Sequence, residues 1–139
     1  MRRVFADTAY WIALVNVKDD WRKAAWELSQ SLTAVQLVTT DMVLAELLNY
    51  FAEKGQYLRD QAVRMVDRIS QDTQVEVVPQ TRESFASGFD LYRKRPDKGY
   101  SLTDCVSMKT MERLQITDVL TPDAHFAQER FRALMLDKF

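Results

Sequence analysis

Short apolar stretches alternate with longer stretches of helical periodicity along the whole chain, and this alternation limits the possible folds more than any other feature. The short stretches predict five strands: Arg2–Ala6, Gln36–Thr39, Gln74–Val78, Ile116–Leu120 and Ala133–Leu136. The periodic stretches predict seven helices: Thr8–Val15, one from Asp19 or Asp20 through Leu28, Met42–Lys54, Leu58–Ser70, about Arg82–Arg93, one beginning at Ser101 and a short one opened by Asp123. Alternating strands and helices build a parallel sheet with helices on both faces. We therefore expect a three-layer α/β sandwich.

The size of the chain predicts one domain over residues 1–139, because 139 residues can bury one core and contain no repeat or long linker. The N-terminus is basic and then apolar like a signal peptide, but Asp7 interrupts the apolar stretch and no small-residue cleavage site follows. No apolar run approaches the length of a membrane span. One cysteine excludes an internal disulfide framework. A soluble protein of the reducing cytoplasm fits these features.

Four carboxylates stand where a predicted strand gives way to a helix, or on the helix that follows: Asp7, Glu46, Asp104 and Asp123. Ligands of open parallel sheets bind beyond the carboxyl ends of the strands, so these side chains can converge. Hard divalent cations such as Mg²⁺ prefer oxygen ligands of this kind. The set predicts a magnesium-dependent nuclease.

Each acid also has an ordinary structural explanation. Asp7 could cap the helix that begins near Thr8, and Ser101 to Asp104 matches a capping box. Asp123 suits the first turn of a helix because of the helix dipole. Glu46 differs, because it borders the apolar stripe of its helix and a partly buried carboxylate needs a cation. That cation could be a Lys, an Arg or a metal, and we favour the metal.

A formal net charge of −1 offers no general attraction for nucleic acid, so an RNA partner would need a local basic patch. The predicted loop before Ser101 carries four cations: Arg93, Lys94, Arg95 and Lys98. They could hold substrate phosphates. They could equally be a solvated helix end, which favours cations.

The only histidine and the only cysteine offer little alternative chemistry. His125 lies just inside a predicted helix, where packing or surface exposure is expected in place of general-base catalysis. Cys105 follows Asp104 in an apolar helix and is expected to be a buried small hydrophobe. A zinc site built mainly from His and Cys is excluded by these counts.

Four segments, in this order along the chain, resemble the signature segments of PIN-domain proteins, and within them the single-domain VapC-like toxins. The segments are Ala6-Asp7-Thr8-Ala9, Leu44-Ala45-Glu46-Leu47, Ser101-Leu102-Thr103-Asp104-Cys105 and Val119-Leu120-Thr121-Pro122-Asp123-Ala124-His125-Phe126. The resemblance implies a central parallel sheet, an acidic pocket that binds Mg²⁺ or Mn²⁺, and hydrolysis of RNA. It implies that the four acids are the metal ligands, with supporting roles for Thr8, Ser101 and Thr121. It also implies a homodimer and a small antitoxin that blocks the pocket.

Two rival functions remain open. A phosphatase could use Asp7 as its nucleophile, but enzymes of the haloacid-dehalogenase type have a second Asp two residues later, where this chain has Ala9. The three glycines also form no phosphate-binding loop. A PIN-like module could instead bind RNA or protein without catalysis. The presence of all four acids favours the ribonuclease over this module.

Overall fold

The computed structural model describes residues 1–137, which form a five-stranded sheet flanked by helices. The strands are β1 (Arg2–Ala6), β2 (Val35–Thr40), β3 (Val75–Val78), β4 (Asp118–Leu120) and β5 (Arg132–Ala133). The helices are α1 (Thr8–Val15), α2 (Arg22–Ser31), α3 (Asp41–Tyr50), α4 (Gln56–Gln71), α5 (Arg82–Lys94), α6 (Leu102–Leu114), α7 (Ala124–Gln128) and α8 (Leu134–Asp137). No helix within these residues is long and apolar enough to cross a membrane. The predicted domain of residues 1–139 also includes Lys138 and Phe139, which lie outside the described residues.

All strand pairings are parallel, in the order β3-β2-β1-β4-β5. The chain runs outward from β1 through β2 to β3 and then returns to the other side of β1 with β4. Because crossovers between parallel strands are right-handed, this reversal places helices on both faces of the sheet. The predicted α/β sandwich is confirmed. The reversal also creates a crevice beyond the ends of β1 and β4.

The central strand is the most buried part of the sheet, because neighbours on both sides and helices on both faces surround it. Val4, Phe5 and Ala6 are completely buried. The ends of β1 and β4 are in register, with Phe5 opposite Val119 and Ala6 opposite Leu120. The residues that follow these two strands therefore emerge side by side at one edge.

Several predicted boundaries differ from the structure, among them the start of the fourth strand, which is Asp118 in place of Ile116. Three further differences have local causes. The third helix was expected to reach Lys54 and end at Gly55, but α3 ends at Tyr50 and turns lead to Gly55, which has a φ of 94° and precedes α4. The second helix begins at Arg22 because the Asp19 carboxylate accepts the Trp21 backbone N–H, a local turn that competes with helix. The predicted strand Ala133–Leu136 is only Arg132–Ala133, and the apolar residues after it form α8. Such a short apolar run fits a strand or a buried helix equally well.

Candidate metal centre

The four predicted acids come from different elements and line one groove. Asp7 directly follows β1, Glu46 lies within α3, Asp104 is in the first turn of α6, and Asp123 is the N-cap residue of α7. Thr8, Ser101 and His125 line the same groove. The fold thus brings together residues that lie up to 116 positions apart, at the sheet edge where the strand order reverses.

Asp7 is almost completely buried, with 5% of its surface exposed. It occupies the N-cap position of α1, but its side chain makes no capping hydrogen bond. The capping explanation from the sequence is therefore wrong for this acid. Burial, and secondarily the nearby Asp104 carboxylate, raise the pKa of Asp7 to about 7, although hydrogen bonds from the Thr8 backbone and the Thr121 hydroxyl favour its ionised form. Without a cation, this acid is half-protonated near neutral pH.

Thr121 links two of the acids through one hydroxyl. Its Oγ1 donates a hydrogen bond of 3.0 Å to Asp7 Oδ2 and accepts the Asp123 backbone N–H at 3.1 Å. Thr121 is completely buried, and its contact with Asp7 is buried, whereas its contact with the Asp123 backbone is partly buried. This residue was predicted to support the acids, and the structure places it between them.

Asp104 combines a structural contact with a place in the groove. The Asp104 carboxylate accepts the Ser101 backbone N–H at 3.0 Å, and the Ser101 hydroxyl accepts the Asp104 backbone N–H at the same distance. The predicted capping box of α6 is therefore present. Burial raises the pKa of Asp104, and the Asp123 carboxylate adds to this effect. A cation in the groove would oppose both effects, because it would favour the ionised form of Asp104.

Glu46 lines the groove from α3 and is half-buried. Among residues 1–137, no Lys or Arg forms an ion pair with it. The sequence left two kinds of cation open for Glu46, a basic side chain or a metal ion. The described residues provide no basic side chain that pairs with it. A metal ion is the alternative that agrees with this geometry.

His125 is a groove residue with a possible metal-ligand atom that the sequence analysis did not assign to the site. Its Nδ1 lies 3.4 Å from Asp104 Oδ2 and 3.3 Å from Asp123 Oδ1. One possible ligand atom from each of these three residues lies within 4.8 Å of the other two. The expectation of mere packing or surface exposure was therefore incomplete. The only available signal was its position two residues after Asp123, at the start of the same short helix.

The four predicted loop cations do not line the groove, although Gly99 and Ser101 beside them do. Two of them were placed wrongly, because Arg93 and Lys94 belong to the last turn of α5. The Arg93 guanidinium lies over the Phe89 ring, 4.6 Å from its centre. Lys94 pairs with Asp90 at 3.0 Å, and Arg95 pairs with Glu129 at 3.0 Å. Arg95 is therefore engaged in a structural contact, and the structure does not bring these cations together with the acids.

The donor atoms of the groove fit a hard divalent cation. Carboxylate oxygens dominate, and Mg²⁺ and Mn²⁺ both accept such ligands. The Thr8 hydroxyl adds an independent observation: its Oγ1 is buried and has no hydrogen-bond partner within the described residues. A buried hydroxyl without a partner is costly, and it lies here among acids that repel one another. A bound cation would reduce the repulsion between the acids, and a water molecule of its shell could form a hydrogen bond with the Thr8 hydroxyl.

Comparison with known proteins relates this fold to a family and to two solved structures. The family model described as PIN domain matches residues 4–131. The crystal structure of Mycobacterium tuberculosis VapC20, a sarcin-ricin loop cleaving toxin, shares 24% identity and a TM-score of 0.84, with 92% of this chain and 95% of VapC20 covered. The crystal structure of FitAcB from Neisseria gonorrhoeae shares 18% identity and a TM-score of 0.59, with 94% of this chain and 95% of that chain covered. At these identities the two structures establish a shared fold. None of the curated protein sequences compared with the chain gives a significant match.

Proposed function

This chain belongs to the PIN domain family, and we propose that it is an endoribonuclease that hydrolyses RNA phosphodiesters with Mg²⁺ or Mn²⁺. One observation carries the proposal: four carboxylates from separate elements line a single groove beyond the carboxyl edge of the sheet. One of them, Asp7, is a buried acid that has no capping role. Such clustering opposes stability, and functional sites are where proteins tolerate that cost.

In this proposal Asp7, Glu46, Asp104 and Asp123 hold the cation. When bound, the cation makes a water molecule more acidic for attack on phosphorus and neutralises charge on the phosphate oxygens. The chain's other residues keep the acids in place. The Thr121 hydroxyl holds the Asp7 carboxylate and the Asp123 backbone, and the Ser101 backbone N–H holds Asp104. Thr8 contributes a hydroxyl to the same groove. No protein nucleophile is needed.

The biological role that we propose is the toxin of a type II toxin–antitoxin pair, acting on RNA in the cytoplasm. The shared fold with VapC20, a sarcin-ricin loop cleaving toxin, supports this role. A cognate antitoxin protein and a homodimer are part of the proposal. The sarcin-ricin loop is accordingly one of the RNAs to be tested as substrate.

Incubation of purified protein with RNA tests the nuclease. We expect cleavage with Mg²⁺ or Mn²⁺, none with EDTA, and none from the variants Asp7→Asn and Asp123→Asn. Asp41→Asn is the matched control, because Asp41 lies outside the groove at the start of α3 and accepts only the Gln80 backbone N–H, a contact that Asn retains. Cleavage that survives thorough chelation would contradict the proposal.

The same purified protein also distinguishes the ribonuclease from the two rival functions, the phosphatase and the non-catalytic binding module. Hydrolysis of a generic phosphomonoester that Asp7→Ala abolishes, with no RNA cleavage, would favour the phosphatase. Binding of RNA or a protein partner without any hydrolysis, at every metal tested, would favour the non-catalytic module.

A further inference from the structure

His125 presents its Nδ1 atom to two of the proposed metal ligands at once. The distances are 3.4 Å to Asp104 Oδ2 and 3.3 Å to Asp123 Oδ1. Adjacent ligands around an octahedral ion lie roughly 3 Å apart when each is about 2.1 Å from the metal. The two distances from Nδ1 are thus close to this spacing, and one possible ligand atom from each of the three residues lies within 4.8 Å of the other two.

The imidazole ring is held in this orientation from its other side. The Tyr100 ring packs edge-on against it, with ring centres 5.2 Å apart, and Tyr100 itself is buried. The Tyr100 hydroxyl donates a hydrogen bond of 2.8 Å to Glu129 Oε2, and the same carboxylate pairs with Arg95. A three-residue network outside the groove therefore fixes the position of the ring inside it.

The second ring nitrogen lies near the preceding loop. A Cβ atom built on Gly99 would lie 3.9 Å from His125 Nε2, an ordinary van der Waals distance. The nitrogen that lies near the acids is Nδ1. The two ring nitrogens therefore have different surroundings, with Nε2 near the loop and Nδ1 near the acids.

We propose that His125 Nδ1 is a ligand of the divalent cation held by Asp104 and Asp123, and that this nitrogen shifts the preference of the site from Mg²⁺ toward Mn²⁺. The inference rests on the proposed function of the groove. Mg²⁺ is bound through oxygen ligands and retains several waters, whereas imidazole nitrogen is a ligand of transition-metal ions. Thr8, another residue that lines the groove, has a buried hydroxyl with no hydrogen-bond partner among the described residues.

Pulsed electron paramagnetic resonance of the Mn²⁺-loaded protein tests the inference directly, because it detects ¹⁴N nuclei bonded to Mn²⁺. His125 is the only histidine in the sequence, so an imidazole signal from protein prepared without a histidine tag identifies this residue. We expect imidazole ¹⁴N modulation in the wild type and none in His125→Gln. Absence of the signal from wild-type protein with bound Mn²⁺ would overturn the inference, whether or not the variant folds.

Titration calorimetry then measures the metal preference. Because loss of an outer-shell partner already costs 10- to 100-fold in metal affinity, we expect His125→Gln to weaken Mn²⁺ binding by at least about tenfold and Mg²⁺ binding by less. His125→Asn is the matched variant, since its amide N–H can replace a hydrogen bond from Nδ1 to the acids without replacing the imidazole ligand. Wild-type Mn²⁺ affinity in His125→Asn would overturn metal ligation by the ring.

The outcomes distinguish this inference from the proposed function. RNA cleavage without any ¹⁴N signal would remove His125 from the ligand set and leave the ribonuclease intact. A clear ¹⁴N signal from a protein that cleaves no RNA would retain the metal site and overturn the ribonuclease.

Discussion

The buried Asp7 carboxylate lowers the stability of the metal-free folded protein at neutral pH. Burial and the neighbouring acids raise its pKa to about 7, whereas an Asp in an unfolded chain titrates near 3.9. Between these two values the folded state binds more protons than the unfolded state. The contribution of Asp7 to the stability of the metal-free protein therefore falls as the pH rises from about 4 to about 7, and it changes little at higher pH.

The substitution Asp7→Asn tests this sign. In EDTA at pH 8 the variant should be more stable than the wild type, by an amount on the order of 4 kcal/mol at most, because it removes a charge that burial opposes. At pH 4 the two proteins should be nearly equal. Urea unfolding at both pH values measures the difference. Asp60→Asn, which breaks an exposed ion pair with Arg64, should change stability by less than about 1 kcal/mol at either pH. A pH-independent effect of Asp7→Asn would contradict the assignment.

A pair of variants separates the two roles of Asp104. Asp104→Asn keeps an acceptor for the Ser101 N–H but removes a charge, so we expect weaker metal binding, lost cleavage and metal-free stability at or above that of wild type. Ser101→Ala removes the hydroxyl that caps α6 and should cost about 0.5 to 2 kcal/mol. Unfolding and metal titration of both proteins measure these effects. If Asp104→Asn lost stability and bound metal normally, Asp104 would be a cap alone.

How far the site could be predicted depends on the range of the contacts involved. Asp7 and Asp104 stand out because their local sequence gives strand ends and a capping box. The relation of His125 to Asp104 depends on contacts across 21 residues, and the pairing of Arg95 with Glu129 spans 34. Such contacts leave no periodic pattern in a sequence. The prediction that Arg95 could hold a substrate phosphate was for that reason made without knowledge of its pairing with Glu129.

At the scale of elements, the packing of α5 against α6 depends on Gly88. A Cβ atom at this position would lie 2.4 Å from Val106 Cγ2 and 3.0 Å from the Val106 backbone. In an open helix position, alanine would instead be more stable than glycine by about 1 kcal/mol. The two helices therefore approach more closely than any side chain at position 88 permits.

We expect Gly88→Ala to destabilise the protein by about 1 to 3 kcal/mol, as overpacking does. Val106→Ala in the same chain should recover part of this loss, because it removes the nearest methyl group. A double-mutant cycle of urea unfolding measures the coupling between the two positions. A stabilising Gly88→Ala would show that the helices can separate without cost.

The cations at the end of α5 and in the loop that follows can be tested for contact with RNA. Neutralising three of these cations, in Arg93→Gln, Lys94→Gln and Lys98→Gln together, should weaken RNA binding in EDTA and lower the salt slope by up to about 2 if each contacts a phosphate of single-stranded RNA. Arg95 is left intact because it pairs with Glu129. The matched control neutralises Arg59, Arg64 and Arg68 on α4, which changes the net charge equally. An unchanged salt slope would indicate that these cations form a solvated helix end and do not contact RNA phosphates.

The element boundaries differ from prediction where local and tertiary preferences compete. β1 and α1 were predicted to the residue, because Asp7 separates two apolar segments. The last strand was predicted too long, because only Arg132 and Ala133 find partners in the three-residue β4. A sequence does not reveal how many partners a neighbouring strand can offer.

For the whole molecule, metal binding should appear as stability. Because the groove is expected to form only in the folded state, added Mg²⁺ or Mn²⁺ should raise the melting temperature by mass action, by the equivalent of about 2.7 kcal/mol at a concentration 100 times the Kd. Thermal unfolding with and without EDTA measures the shift. Asp123→Asn should show a smaller shift, and Asp41→Asn the full one. Equal shifts in all three proteins would place the bound metal elsewhere.

The overall fold was the most predictable property, since the alternation of strands and helices depends on the entire sequence and tolerates errors at each boundary. The expectation that Asp7 and Asp123 emerge at one edge followed from parallel strands alone. The strand order followed from no pattern in the sequence, because it depends on which helices cover which face.

The position of β1 between β2 and β4 also determines when the candidate metal centre can form during folding. β1 can pair with β2 early, but its other partner, and Thr121 with it, lies more than a hundred residues further along the chain. Contacts of such long range form slowly, because a large loop must close first. A partly folded chain that lacks β4 therefore has Asp7 without Asp123, and the groove lacks one of its four acids. The topology itself delays completion of the groove until the fold is nearly complete.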